Sequence, residues 1–214
     1  MDKVLIECSP GVSGDMLLGA LYDLGVPKTV IEKPLAQLGL DTLYNLKFEE
    51  SKSRSIRGIK CKVESLDKGT KRNWKSIKRL ILKGKLEKKL EETIYKVFES
   101  LAIAESKVHG ISSENVHFHE VGAIDSLVDV IGVCAAINYL NPAKIYCNEP
   151  TLGTGFVQTE HGQLSIPSPA VIELLSGKNI KVISKFQSIQ GELSTPTGIA
   201  LITNLLDYHQ YPYK

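Results

Sequence analysis

The densest run of chemically capable side chains is His117-Phe118-His119-Glu120-Val121-Gly122-Ala123-Ile124-Asp125, with Asp129 one turn further on. Alternate side chains of an extended segment share a face, so a strand over 116–119 sets the His117 and His119 imidazoles on one side. Imidazole nitrogens beside a carboxylate suit nickel, zinc or iron. Asp125 and Asp129 are four residues apart and share one helix face. Asp129 falls within the otherwise apolar Leu127–Leu140, where an unpaired carboxylate is costly, so it requires a cation or a neighbouring histidine. A purely structural reading stays open: the histidines bond backbone, and Asp125 caps the helix with Ser126.

Three further stretches carry polar groups at element junctions. In Ser9-Pro10-Gly11-Val12-Ser13-Gly14-Asp15-Met16, small residues at a strand-to-helix junction let backbone approach a ligand, and the helix start favours an anion. This is neither a Walker A loop nor GxGxxG, and Asp15 opposes an anion while suiting a phosphate-bound cation. Gly153-Thr154-Gly155-Phe156, continuing to Glu160-His161-Gly162, shows no periodicity and reads as a long glycine-rich loop of the kind that carries function. Gly191-Glu192-Leu193-Ser194-Thr195-Pro196-Thr197-Gly198 reads as a donor-rich helix start. Ordinary turns and caps account for each equally well. There is no Gly-x-Ser-x-Gly elbow and no cysteine nucleophile motif, so nucleophilic catalysis is not indicated.

The elements that must position these residues follow from periodicity. Lys3–Cys8 reads as a buried strand, Gly14–Leu24 as a helix capped by Ser13, and Val26–Leu38 as a second helix despite Pro34. Tyr44, Leu46 and Phe48, and then Ile59, Cys61 and Val63, alternate with polar neighbours as the arms of a β-hairpin. Thr70–Trp74 reads as a polar connector. Leu86, Leu90, Ile94, Val97, Leu101, Ala104 and Val108 are spaced by threes and fours, marking a helix of about six turns closed by His109-Gly110. A helix starting at Ser126 is apolar nearly all round and therefore buried, and Ile145–Cys147 is a strand. Ser168-Pro169 and Thr195-Pro196 open helices over 169–175 and 196–206. The class is α/β: a mixed sheet with a β-hairpin and several packed helices, read as one domain over 1–214 without linker or repeat.

Composition bounds the rest. The 214 residues are 43% hydrophobic and 23% charged with 17 Gly and 9 Pro, which excludes a disordered, collagen-like or disulfide-stapled chain. No signal-like N-terminus is evident and no apolar run reaches the ~18 residues of a membrane span, so the expected location is cytoplasmic, with no membrane partner. Cys8, Cys61, Cys134 and Cys147 form no CxxC pair and read as reduced thiols. The net charge of +2 hides a basic middle: residues 47–107 carry 18 Lys/Arg against 9 Asp/Glu. That segment reads as the wet face of a long helix; without interleaved aromatics beyond Trp74 it gives nucleic-acid binding little support.

Taken in order, Ser13-Gly14-Asp15-Met16, Lys107-Val108-His109-Gly110, His117 through Ser126, Gly153–Gly162 and Gly191-Glu192-Leu193 with Thr195-Pro196-Thr197-Gly198 resemble the LarC family of nickel-insertion proteins over nearly the whole chain. The resemblance implies insertion of nickel into a pyridinium bis-thiocarboxylate mononucleotide to make a nickel-pincer cofactor. It further implies use of CTP with Mn or Mg, the metal bonding two sulfurs and a ring carbon that loses a proton. Motif position and chemistry, not the resemblance, suggest the roles. His117, His119, Glu120 and His109 are expected to handle nickel. Glu120, Asp125 and Asp15 are the expected catalytic groups, and Ser13, Gly14, His161, Thr195 and Thr197 the expected cofactor-binding ones.

Two departures qualify this resemblance. Where family members often carry a histidine-rich connector, this chain reads Thr70-Lys71-Arg72-Asn73-Trp74, which puts nickel loading there in doubt. The sequence also matches only the family's N-terminal half. The C-terminal half, associated with CTP and its cation, is absent, so enzymatic activity of this chain alone is an open point and a separate C-terminal half is an expected partner. A homo-oligomer stays open. The competing reading is a non-catalytic metal- or cofactor-binding module that delivers nickel or nucleotide to a partner.

Overall fold

Helix α5 (Ile124–Leu140) is apolar on almost every side, and the fold answers by wrapping it. Leu127, Val128, Val130, Ile131 and Ala136 are fully buried, each such branched aliphatic contributing ~1.5–3 kcal/mol of apolar burial. Helices α1 (Gly14–Asp23), α2 (Lys28–Gln37) and α4 (Lys88–His109) pack against it. At Gly132 the approach is closest: a Cβ there would stand 2.8 Å from Ile31 of α2 and 3.0 Å from Leu18 of α1. The computed structural model describes residues 2–53, 55–67, 69–70, 72–118, 121–159, 162–178, 180–183 and 190–206.

The strands fall into three small sheets. β1 (Lys3–Ile6) pairs in parallel with β4 (Lys144–Cys147), Ile6 opposite Cys147. β2 (Tyr44–Ser53) and β3 (Ile56–Ser65) form the antiparallel hairpin, with Leu46 opposite Val63 and Phe48 opposite Cys61 as the alternation demands. Its wet face is laced by Lys47–Glu64 and Lys62–Glu49 pairs, and on the opposite face Arg57 reaches Asp23 of α1; together these neutralise part of the basic middle segment. The third sheet has the order β6 (Gly162–Ile166), β5 (Gly153–Thr159), β7 (Gly191–Glu192).

Several expectations need correction. The stretch read as a long structureless loop is the β5–β6 hairpin. Its alternation is hidden because the wet face carries Phe156, 68% exposed, while Val157, Thr159 and Leu164 on the other face are only half-buried. A helix the pattern reading omitted, α3 (Trp74–Lys83), begins inside the supposed connector. A reciprocal capping box between Asn73 and Ser76 starts it, and Trp74, Ile77 and Ile81 line its buried face. α5 starts two residues before Ser126, with Ala123 at its cap position and Asp125 in its first turn. α6 (Pro169–Leu175) and α7 (Pro196–Leu205) open on proline as expected. All four cysteines are buried and free. Among the described residues no helix is long and apolar enough to cross a membrane.

Candidate active site cleft

Three helix N-termini converge on one cavity of about 320 Å3. α1 brings Ser13, Gly14 and Asp15; α5 brings Asp125, Ser126 and Asp129; α7 brings Thr195, Pro196 and Thr197. Cys61 and Val63 of β3, Val121 and Glu192 complete the walls. The junctions around it are held backbone to backbone. Val12 N–H donates to the Leu193 carbonyl at 2.9 Å, and Thr195 N–H donates to the Val12 carbonyl at 3.0 Å. The buried Ser194 hydroxyl donates to the Thr151 carbonyl at 2.7 Å and accepts from Val12 N–H at 3.2 Å. Glycine is required where these segments touch: a Cβ on Gly11 would lie 2.1 Å from the Leu193 carbonyl oxygen, and one on Gly198 2.2 Å from that of Val12.

The first turns of α1 and α5 have no side-chain cap, whereas Thr195 Oγ1 caps α7 by accepting from Gly198 N–H at 3.1 Å. Ser13 occupies the cap position of α1, but its hydroxyl donates to Asp15, so the expected serine cap is not made. Instead the Asp129 carboxyl lies against the start of α1 and receives the Asp15 backbone N–H. Its Oδ1 is buried with no hydrogen-bond partner among the described residues. Burial first, then the charges of Asp15 and Asp125, push this carboxyl well above the usual carboxylate range. The same surroundings act on the Cys61 thiol: burial, then Asp129 and Asp15, push it up to about 12.

The expected site residues are thus divided. Ser13, Gly14, Asp15, Asp125, Thr195 and Thr197, scattered in sequence, meet in this cavity. His117 does not join them. It is exposed and bridges Asn73 at the start of α3, between the buried Val116 and Phe118. His109 lines a second cavity of about 190 Å3, with its Nε2 3.4 Å from Glu105 Oε2. His119, Glu120 and His161 lie outside the described residues. Glu192, to which the sequence reading gave no role, lines both cavities, as does Pro196. Its only sequence signal was its place in the Gly191–Gly198 helix-start motif.

The connector that lacks histidine has a structural task. Arg72 pairs with Asp67 at 2.7 Å, their side chains 11% and 7% exposed, and donates to the Gly122 carbonyl at 3.2 Å. It thereby ties the turn that leads into α5, where a Cβ on Gly122 would lie 2.8 Å from the Arg72 carbonyl oxygen. Among the described residues no three His, Cys, Asp or Glu side chains are grouped to hold a metal ion.

This architecture defines an α/β protein whose cleft couples helix N-termini with one buried acid, Asp129, and more exposed ones, a combination suited to a small anionic ligand and proton transfer. The family model described as nickel insertion protein matches residues 4–214, and the chain belongs to that family. A relative in Synechococcus sp. (strain JA-3-3Ab) is 39% identical over 208 residues, covering 97% of this chain and 52% of its own. The pyridinium-3,5-bisthiocarboxylic acid mononucleotide nickel insertion protein of Desulfitobacterium hafniense (strain DSM 10664 / DCB-2) is 38% identical over 203 residues, covering 95% of this chain and 49% of its own. The chain spans about half the length of the curated relatives it matches. No solved structure matches it.

Proposed function

We propose that this chain binds the pyridinium-3,5-bisthiocarboxylic acid mononucleotide and takes part in inserting nickel into it. The observation that carries this reading is the convergence of the α1, α5 and α7 N-termini on one cavity around the buried Asp129 carboxyl. First-turn N–H groups and the Ser13 and Thr197 hydroxyls receive the phosphate. The Asp129 carboxyl, biased toward its protonated form by burial and by the Asp15 and Asp125 charges, donates to a phosphate oxygen through Oδ1, which has no hydrogen-bond partner among the described residues.

Nickel enters as substrate. In the reaction the ring C–H bond breaks, a carbon–nickel bond forms, nickel stays divalent, and the proton leaves to a carboxylate. Asp15, Asp125 and Glu192 line the cleft and supply that acceptor. His117, His119 and Glu120 are assigned to nickel delivery, and their chain neighbour Val121 is a cavity wall. CTP use is placed in this reading with the C-terminal half of the family's longer members, of which this chain spans about half.

Calorimetry on the purified chain tests the reading. The mononucleotide is expected to bind, and Ser13→Ala combined with Thr197→Val to weaken it at least about tenfold, the loss of one charge-assisted hydrogen bond or more. His117→Ala with His119→Ala is expected to abolish nickel binding. Absence of mononucleotide binding, or unchanged affinity in the Ser13/Thr197 variant, overturns the site. Binding without insertion until a C-terminal half is added assigns the chain the delivery role instead.

A further inference from the structure

The second cavity differs in kind from the first. Its walls are mainly apolar: Val108 at the end of α4, Val157 and Leu164 on facing strands of the β5–β6 hairpin, Pro169 and Ala170 of α6. Thr159 and Glu192 also line it, and two further polar features interrupt the apolar walls. One is the His109–Glu105 pair. The other is Ser168, 7% exposed, which stands at the cap position of α6 yet makes no cap, its Oγ buried without any hydrogen-bond partner among the described residues. A buried hydroxyl that forgoes the cap its position offers is a donor with an unmet partner. Glu192 and Pro196 form the wall shared with the phosphate cavity.

We infer that this second cavity is the ring compartment of the cleft: it takes the flat, cationic pyridinium ring, with Ser168 donating to a ring thiocarboxylate. The inference rests on the mononucleotide reading above and deepens it. The mononucleotide has a flat aromatic ring with thiocarboxylates at its edge at one end and a phosphate at the other, which matches a largely apolar cavity edged by polar groups that shares a wall with one built from helix N-termini. Glu105 and Glu192 give the ring compartment the negative charge that a pyridinium cation calls for. Nickel is bonded at the ring end, so this placement brings the His109 imidazole to the metal's side of the ligand and Glu192 to the junction.

Two half-ligands separate the claims: N-methylpyridinium-3,5-dicarboxylate for the ring and ribose 5-phosphate for the other end, both read by ligand-observed NMR on the full chain. The ring probe is expected to bind, to weaken at least about tenfold in Val157→Trp, which fills the compartment, and several-fold in Ser168→Ala. Ribose 5-phosphate binding stays unchanged in both variants. Ser168→Ala adds no bulk and keeps the test valid should Val157→Trp fail to fold. A ring probe that does not bind, or binds equally to the folded variants, overturns the assignment. Loss of ribose 5-phosphate binding alone sinks the phosphate reading and leaves the ring compartment standing.

Discussion

Gly14 and Asp129 occupy what is nearly one space: a Cβ on Gly14 would stand 2.4 Å from the Asp129 Cβ and 2.6 Å from its Oδ2. The most buried acid of the cleft therefore rests on the first turn of α1, and the absence of a side chain at position 14 is what lets it receive a backbone N–H there.

Gly14→Ala forces these helices apart. The expected cost is ~1–3 kcal/mol, as for other overpacked sites, read as a lower urea midpoint at unchanged m-value. In an Asp129→Gly background, which removes the Cβ that the new methyl would meet, Gly14→Ala is expected to cost much less relative to Asp129→Gly alone. A full, undiminished penalty in the double variant would show that the strain lies elsewhere.

Asp129 also sets a pH dependence. Its folded-state pKa is raised above the unfolded value of about 3.9, so between those two values the folded chain binds the extra proton. This contribution to stability is full below pH ~4, declines as pH rises through the folded pKa, and is absent above it. Asp129→Asn removes that decline and is expected to be more stable than the parent chain at pH 8. Urea titrations at a series of pH values measure it, and an Asn variant with the parent slope would refute it.

Arg72→Ala removes both the Asp67 ion pair and the donor to the Gly122 carbonyl. A loss of ~1–3 kcal/mol is expected from charge-assisted hydrogen bonds left unmade. Arg72→Lys is expected to restore little, because one ammonium cannot reproduce the guanidinium fork. Chemical denaturation of the single variants and of the Arg72/Asp67 double separates the pair from the Gly122 bond. A neutral Arg72→Ala would show that the turn before α5 holds itself.

Cys61 is 4% exposed and its thiol is pushed up to about 12, so it stays protonated where an ordinary thiol of pKa ~8.5 begins to ionise. Iodoacetamide at pH 8 is expected to label Cys61 only after unfolding, followed by peptide mass spectrometry. Rapid labelling in the native chain would mean that the β3 wall of the cleft opens to solvent.

The sequence made some of this legible and hid the rest for identifiable reasons. α5 and α4 announce themselves because one is apolar all round and the other keeps a clean three-four spacing. α3 was missed although Asn73-x-x-Ser76 is a capping signal, since the lysines around Ile77 and Ile81 masked their spacing. The β5–β6 hairpin escaped because exposed strands need not alternate in hydropathy. The requirement that Asp129 find a partner was readable from its apolar helix, and so was its shared face with Asp125. That the partner is the Asp15 backbone N–H was not, because that contact depends on how α1 packs against α5. His109 and Ser168 share a wall for the same reason: the hairpin between them folds back on α4 and α6, and no local pattern encodes that.

The hydrogen bond from Val12 to Ser194 closes the cleft across 182 positions. During synthesis, at ~5–20 residues per second, the first turn of α1 emerges many seconds before the segment that completes its surroundings. Until Leu193–Gly198 has left the ribosome, the Val12 amide and carbonyl lack their partners and the cavity between α1, α5 and α7 does not exist. A nascent chain shorter than α7 therefore lacks the cleft, and any ligand that needs it is bound only by chains made at least that far.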